Sequence, residues 1–248
     1  MKMSTTELSP NATIAQVDGV AVVDWLAKRV EDLMEQIKQE PFWQTVTDPN
    51  TDDEVVQEIL KEIYLEIVGY QPHVIEAAVA SIGQMPRSMK QNMIRSMLYH
   101  QADEWDHGEM ALRDYVNMGG DESYARELPM SPPSFAVAGV WWMITKLRDP
   151  FSYIGALYLF EGLTPLVTGL VKQGLKDKGM TDDQLEYIEF HSTEDIKHAA
   201  MVNNMIAETV TNYPEALESV KRGYEYFEAV YPIPVWRAAY ECAMANRS

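Results

Sequence analysis

Four of the five histidines in this chain lie in two short segments, His100-Gln-Ala-Asp-Glu104-Trp-Asp-His107 and His191-Ser-Thr-Glu-Asp195-Ile-Lys-His198. At about 100° per residue, positions i, i+4 and i+7 return to one side of a helix, so each segment projects two imidazoles and a carboxylate together. Two such helices facing one another would collect six candidate ligands. Imidazole nitrogen and carboxylate oxygen without thiolate suit iron or manganese better than structural zinc. The only cysteine is Cys242.

The candidate ligands fall on apolar stripes. Met93, Met97, His100, Glu104, His107, Ala111 and Tyr115 share one, and Ile188, His191, Asp195, His198, Val202 and Met205 share the other. Charged groups among such neighbours cost several kcal/mol each unless paired or bound to a metal. Ordinary His/Asp ion pairs would explain one such helix; the same pattern on two helices counts against that reading. Glu161, in Gly155-Ala-Leu-Tyr-Leu-Phe-Glu161-Gly-Leu-Thr-Pro165, has apolar neighbours on every side and is a ligand or a stranded charge. Pro165 removes the helical donor for its carbonyl and predicts a kink there. Glu66 shares a face with Ile59, Ile63, Tyr70 and His73, with Glu62 one turn away as the alternative, and its competing role is that of an ordinary partly exposed carboxylate. Glu66, Glu104-x-x-His107, Glu161 and Asp195-x-x-His198 together match the bundle recipe for two irons, with Asp in place of one Glu. Periodicity alone thus permits a ferritin-like iron-binding bundle; His191 and the number of helices argue for a different fold.

The elements that must hold these residues are helical throughout. Apolar spacings of three and four dominate, and strand-like alternation is absent. Helices are expected over 17–40, 51–82 with Pro72 inside, 86–117, 134–147, 150–176, 182–211, 214–230 and 233–246. Thr51-Asp-Asp-Glu54 and Thr181-Asp-Asp-Gln184 read as capping boxes, and Gly119-Gly120 as a C-terminal stop. Residues 1–16 are expected to form a flexible tail and 17–248 a single domain. The Pro-rich stretch Glu127–Ser134 reads as a loop within it, because the ligand candidates lie on both sides.

The chain has 248 residues and a formal net charge of −18, with basic residues scattered. That balance argues against nucleic acid or an anionic membrane as partner. The N-terminal sequence lacks a signal-peptide core, and the longest uninterrupted apolar run, Phe135 to Ile144, is too short to span a bilayer. A cytoplasmic protein is the expectation, with homodimerisation left open.

At this point the chain resembles the haem-oxygenase-like di-iron oxidases, over roughly residues 50–230. Gly155-Ala-Leu-Tyr-Leu-Phe-Glu161-Gly is similar to the Ala-Leu-Tyr-x-x-Glu-Gly helix of that fold, and His191-x-x-x-Asp195-x-x-His198 to the family's last ligand helix. The resemblance implies an all-α bundle of about seven helices and two Fe(II) ions that activate O2. It implies one iron on His107, Glu161 and His191, and a second on Asp195 and His198 with an earlier carboxylate. Many members carry Glu seven residues before the histidine matching His107, where this chain has His100. Glu104 then supplies the carboxylate, Glu66 bridges or closes the site, and His100 is left to a supporting or substrate-facing role.

That pattern resembles most the branch converting medium-chain fatty acids to terminal alkenes. It implies hydrogen abstraction from a carboxylate substrate, alkyl or amino-acid-derived, with oxidative decarboxylation or C–C cleavage, Glu104 and Glu161 at the reacting centre, and an external electron donor. Arg237 is the first candidate to meet the substrate carboxylate and Arg113 the second. Val140–Ile144 with Tyr153, Tyr158 and Phe160 are candidates to line an apolar channel. A metal-free enzyme of the same fold, akin to the thiamin-salvage or quinone-cofactor proteins, is the alternative, although no cysteine falls on the ligand helices.

Overall fold

The computed structural model describes residues 18–247, so the expected tail over 1–16 lies outside the described residues. Every regular element among the described residues is helical. Helix α1 (Gly19–Ile37) begins at Asp18, whose carboxylate accepts from the backbone N–H of Val20 at 3.0 Å. Next come α2 (Pro41–Thr47) and α3 (Asp53–Ile82), the latter capped by Asp52 and containing Pro72. The expected helix over 86–117 is two, α4 (Gln91–Asp103) and α5 (His107–Asn117), separated by a 3-10 turn at Glu104–Asp106. Then follow α6 (Glu122–Glu127), α7 (Pro132–Lys146) and α8 (Pro150–Asp177). The expected helix over 182–211 is also divided, into a 3-10 turn at Asp182–Gln184, α9 (Glu186–His191) and α10 (Asp195–Asn212). The chain closes with α11 (Ala216–Glu228) and α12 (Ile233–Ala245).

Helices α2 and α6 occupy stretches that apolar spacing leaves unassigned. With 7 and 6 residues they are too short to display a period. The two divided helices have a different cause: each interruption falls inside a histidine motif, at Glu104–Asp106 and at Ser192–Glu194. Tight or irregular turns within helices mark places where side chains are re-aimed.

The bundle is organised around α8, which packs against α11, α10, α7, α9 and α1, while α3 packs against α7, α5 and α12. Among the described residues, α8 is the one helix long and apolar enough to cross a membrane, but 56% of that window is buried inside the protein. Its role here is that of the core helix. Its contact with α11 is backbone to backbone: a Cβ on Gly155 would lie 1.8 Å from the Val220 carbonyl oxygen, and one on Gly223 would lie 1.9 Å from that of Ser152. The Ser152 hydroxyl donates to the Ser219 carbonyl at 3.0 Å and ties the same two helices.

Helix α9 is held from outside. No side chain of its own caps it. Instead Asp114 of α5, fully buried, accepts from the backbone N–H groups of Glu186 at 3.1 Å and Tyr187 at 2.9 Å. Those donors belong to the unpaired first turn of the helix, and a carboxylate also suits its positive end. Burial outweighs the hydrogen bonds and lifts the Asp114 carboxyl from 3.8 to about 6.

Gly155→Ala should destabilise the protein by ~3 kcal/mol or more, the upper end of overpacking costs, read by thermal denaturation; a variant melting with wild type would show that the backbones can part. Asp114→Ala should cost ~2 kcal/mol by leaving two N–H groups unpaired. Because the folded carboxyl titrates above its unfolded value, its contribution to stability is largest below pH 3.8 and declines as pH rises through about 6. Asp114→Asn should lose that decline, seen by comparing denaturation midpoints with wild type across this range.

Candidate metal centre

The two helix interruptions and α8 bring the motif residues into one buried volume. Glu104 is at its middle. One of its oxygens lies 2.7 Å from His107 Nδ1, and the other lies 3.4 Å from His198 Nδ1 and 3.8 Å from His100 Nε2. Glu161 enters from α8, with its oxygens 2.9 Å from His100 Nε2 and 3.6 Å from His198 Nδ1. Asp195, at the first position of α10, places an oxygen 3.5 Å from His198 Nδ1. On the other side, His191 Nε2 lies 3.1 Å from His107 Nδ1. His191 Nδ1 donates to the Tyr187 carbonyl at 2.6 Å, which fixes the proton there and leaves the Nε2 lone pair facing the cluster.

Ligand-capable atoms thus form two groups, His100, Glu104, Glu161 and His198 in one and Glu104, His107 and His191 in the other, each within 4.8 Å mutual distance. Glu104 belongs to both. The structure places Glu161 beside His100 and His198, whereas the family resemblance pairs it with His107 and His191. It also brings His100 into the cluster itself rather than behind it.

The donor set fits a metal. Four buried atoms facing the cluster make only ion-pair contacts and no aligned hydrogen bond: His100 Nε2, Glu104 Oε1, Asp195 Oδ1 and His198 Nδ1. Unpaired buried polar atoms are costly, and concentrating them at one point makes sense if a cation satisfies them. Without metal, the charges are balanced among the side chains. Burial disfavours the Glu104 carboxylate, but His107 at 2.7 Å and the nearby imidazoles of His198 and His100 hold its carboxyl well below the usual range. Burial likewise opposes a charged His198, yet Asp195, Glu104 and Glu161 push its imidazole up to about 12. His191 goes the other way, to about 4, through burial and the neighbouring His107. Asp195 is raised to about 7 by burial and by repulsion from Glu161 and Glu104. A protonated His198 therefore supplies positive charge that a divalent ion would supply instead.

Some expected residues lie elsewhere. Glu66 is not at the cluster: its carboxylate accepts from the hydroxyls of Ser131 and Ser134 at the start of α7. Among the described residues neither ligand group includes a carboxylate of α3. Glu62 faces Asn246 at 3.4 Å. Arg237 is bound bidentately to Glu40, and Arg113 to Glu186, both outside the cavity. Other residues carry no motif and were invisible in the sequence. Gln101 places its amide nitrogen 2.9 Å from His100 Nδ1 and donates to the Tyr153 hydroxyl at 3.2 Å.

One cavity holds the cluster and a second lies beside it. The first is lined by His100, Glu104, Glu161, His191 and Asp195 together with Gln71, Trp141 and Phe160. The second is an apolar cleft of about 80 Å³, lined by Phe42, Trp43 and Val46 of α2, by α3 and α8, and by Trp236. Thr164 and Tyr187 line both. Of the expected channel residues, Trp141 and Phe160 face the metal cavity, Tyr153 and Tyr158 are core, and Met143 is exposed.

A search by sequence among curated proteins returns no match. Solved structures share the fold. A domain of unknown function with a haem oxygenase-like fold from Shewanella denitrificans superimposes with a TM-score of 0.77 at 20% identity, covering 94% of this chain and 96% of that one. A TenA homologue from Pseudomonas syringae gives 0.66 at 12% identity, over 98% of this chain and 100% of that one. One from Pyrococcus furiosus gives 0.63 at 13%, over 88% and 100%. The all-α architecture is thus haem-oxygenase-like. A family model described as iron-containing redox enzymes matches residues 70–230, a span that includes every residue of the buried His/carboxylate cluster. With that match on a metal-suited site, the chain belongs to the haem-oxygenase-like family of iron-containing redox enzymes.

Proposed function

We propose that the protein is an O2-dependent non-haem di-iron oxidase that removes hydrogen from an alkyl carboxylate and cleaves its carboxyl carbon, the best-fitting case being conversion of a medium-chain fatty acid to a terminal alkene. The observation that carries this reading is the shared position of Glu104 between two ligand groups in a cluster of unsatisfied buried atoms. Glu104, His107, His191, Glu161, His100, Asp195 and His198 would hold the two irons. Ferrous iron with open positions supplies the electrons and the binding place for reduction of O2.

Two features favour a monoanionic acid with an apolar tail. The cluster offers three carboxylates, Glu104, Glu161 and Asp195, so two divalent ions would leave one positive charge unmatched. Among the described residues neither cavity is lined by Lys or Arg, so a substrate carboxylate there would meet the metal ions and no protein cation. The adjoining cleft is apolar along α2, α3 and α8, as an alkyl chain requires and an amino acid side chain does not. The closed walls around Glu104 and Glu161 exclude bulk water from the reacting end. Forming alkene and CO2 releases two electrons from the acid, while O2 takes four to become water. The other two must come from an external donor.

The TenA-like neighbours share a fold at 12% and 13% identity and do not themselves argue for a metal-free hydrolase. Cys242, on α12, lines neither the metal cavity nor the cleft.

Anaerobic titration with Fe(II) should load two irons per chain, and Glu104→Ala should reduce this below one. With a reductant present, decanoate or dodecanoate should accelerate O2 consumption with release of the shortened alkene, read by an oxygen electrode and gas chromatography. Failure to retain iron would support the metal-free alternative. Bound iron with no acid-dependent O2 uptake would exclude the oxidase.

A further inference from the structure

Tyr187 lines both the metal cavity and the apolar cleft. Its ring stacks on His191, with centroids 3.9 Å apart and planes at 27°. Its peptide is anchored at both ends, the N–H on Asp114 and the carbonyl on His191. Its hydroxyl, in contrast, makes no hydrogen bond among the described residues. A phenol in an apolar setting normally finds an acceptor, so an uncommitted O–H at a cavity wall is available to a ligand.

Among the described residues the other side chain common to both cavities is Thr164, and its hydroxyl is spent on the Phe160 carbonyl at 2.7 Å. Among the described residues no Lys or Arg lines either space; Trp141 Nε1 is also without a partner but lies in the metal cavity alone, so Tyr187 is the free donor common to both, where the polar head of an alkyl acid would sit with its tail in the cleft. On the far wall of the metal cavity, Gln71 is a buried amide, but it does not reach the cleft.

We infer that Tyr187 positions the substrate, its hydroxyl donating to a carboxylate oxygen while stacking on His191 holds the ring in place. This rests on the alkyl-acid reading above. It makes Tyr187 a discriminator between an acid and a neutral chain of equal length, because a hydrogen bond to a charged acceptor is worth more than one to a neutral acceptor.

The test is Tyr187→Phe, which keeps the ring and its stacking. Wild type and variant are loaded with Mn(II) in place of iron, without O2, and titrated with decanoate and 1-decanol by calorimetry. The variant should keep its metal content and melting temperature and bind decanoate ~10-fold or more weakly. Its affinity for decanol should change by less than ~3-fold. Unchanged decanoate affinity would overturn the role of Tyr187, as would an equal loss for acid and alcohol. So would loss of acid binding in Gln71→Leu but not in Tyr187→Phe, which would move the anchor to the far wall. Wild type that binds no decanoate would overturn the alkyl-acid reading itself, and Tyr187 with it.

Discussion

The constraint on which the structure depends is the burial of three carboxylates and four imidazoles in the middle of a helical core. Glu104, Glu161 and Asp195 are all nearly inaccessible, as are His100, His107 and His191. An apolar bundle gains nothing from such groups unless each charge has a counter-charge within a few ångströms. Here they neutralise one another through short contacts and still leave donor and acceptor atoms unmatched. The cluster costs stability as protein and becomes favourable as a ligand set, which is the pattern expected of a site selected for chemistry.

Much of the surrounding architecture serves that requirement. The 3-10 turn at Glu104–Asp106 and the gap between α9 and α10 interrupt the two histidine helices where a continuous helix would spread the ligands along its axis. Asp114 then fixes the start of the short α9, so that His191 and Tyr187 are presented from a helix that could not stand alone at 6 residues. The second cavity depends on a similarly short element: α2 supplies Phe42, Trp43 and Val46 to the apolar cleft.

The sequence was most legible where a regular period coincided with unusual residue types. His100, Glu104, His107, Glu161, His191, Asp195 and His198 could be named because charged groups fell on apolar stripes, and the structure gathers them. Glu66 fell on such a stripe too, but periodicity gives a direction around the helix axis and no distance, and its carboxylate is taken up by two serines at the start of α7. Gln101, Asp114 and Tyr187 could not be read in advance, since each acts through a partner remote in sequence or through its backbone. The breaks inside both ligand helices were hidden for a related reason. Apolar spacing continues across Glu104–Asp106 and Ser192–Glu194 although the hydrogen-bond ladder does not.

Gly155 and Gly223 lock α8 to α11 at a backbone distance that tolerates no side chain, a short way along α8 from Glu161. Helices packed through side chains can slide by small amounts as those side chains change rotamer, but two backbones in contact have no such slack. The height of Glu161 within the core is therefore set by a helix that contributes nothing to the cluster. A ligand held in this way does not search for its ion: most of the conformational entropy of assembling the site is lost when the chain folds, leaving little to lose when metal arrives.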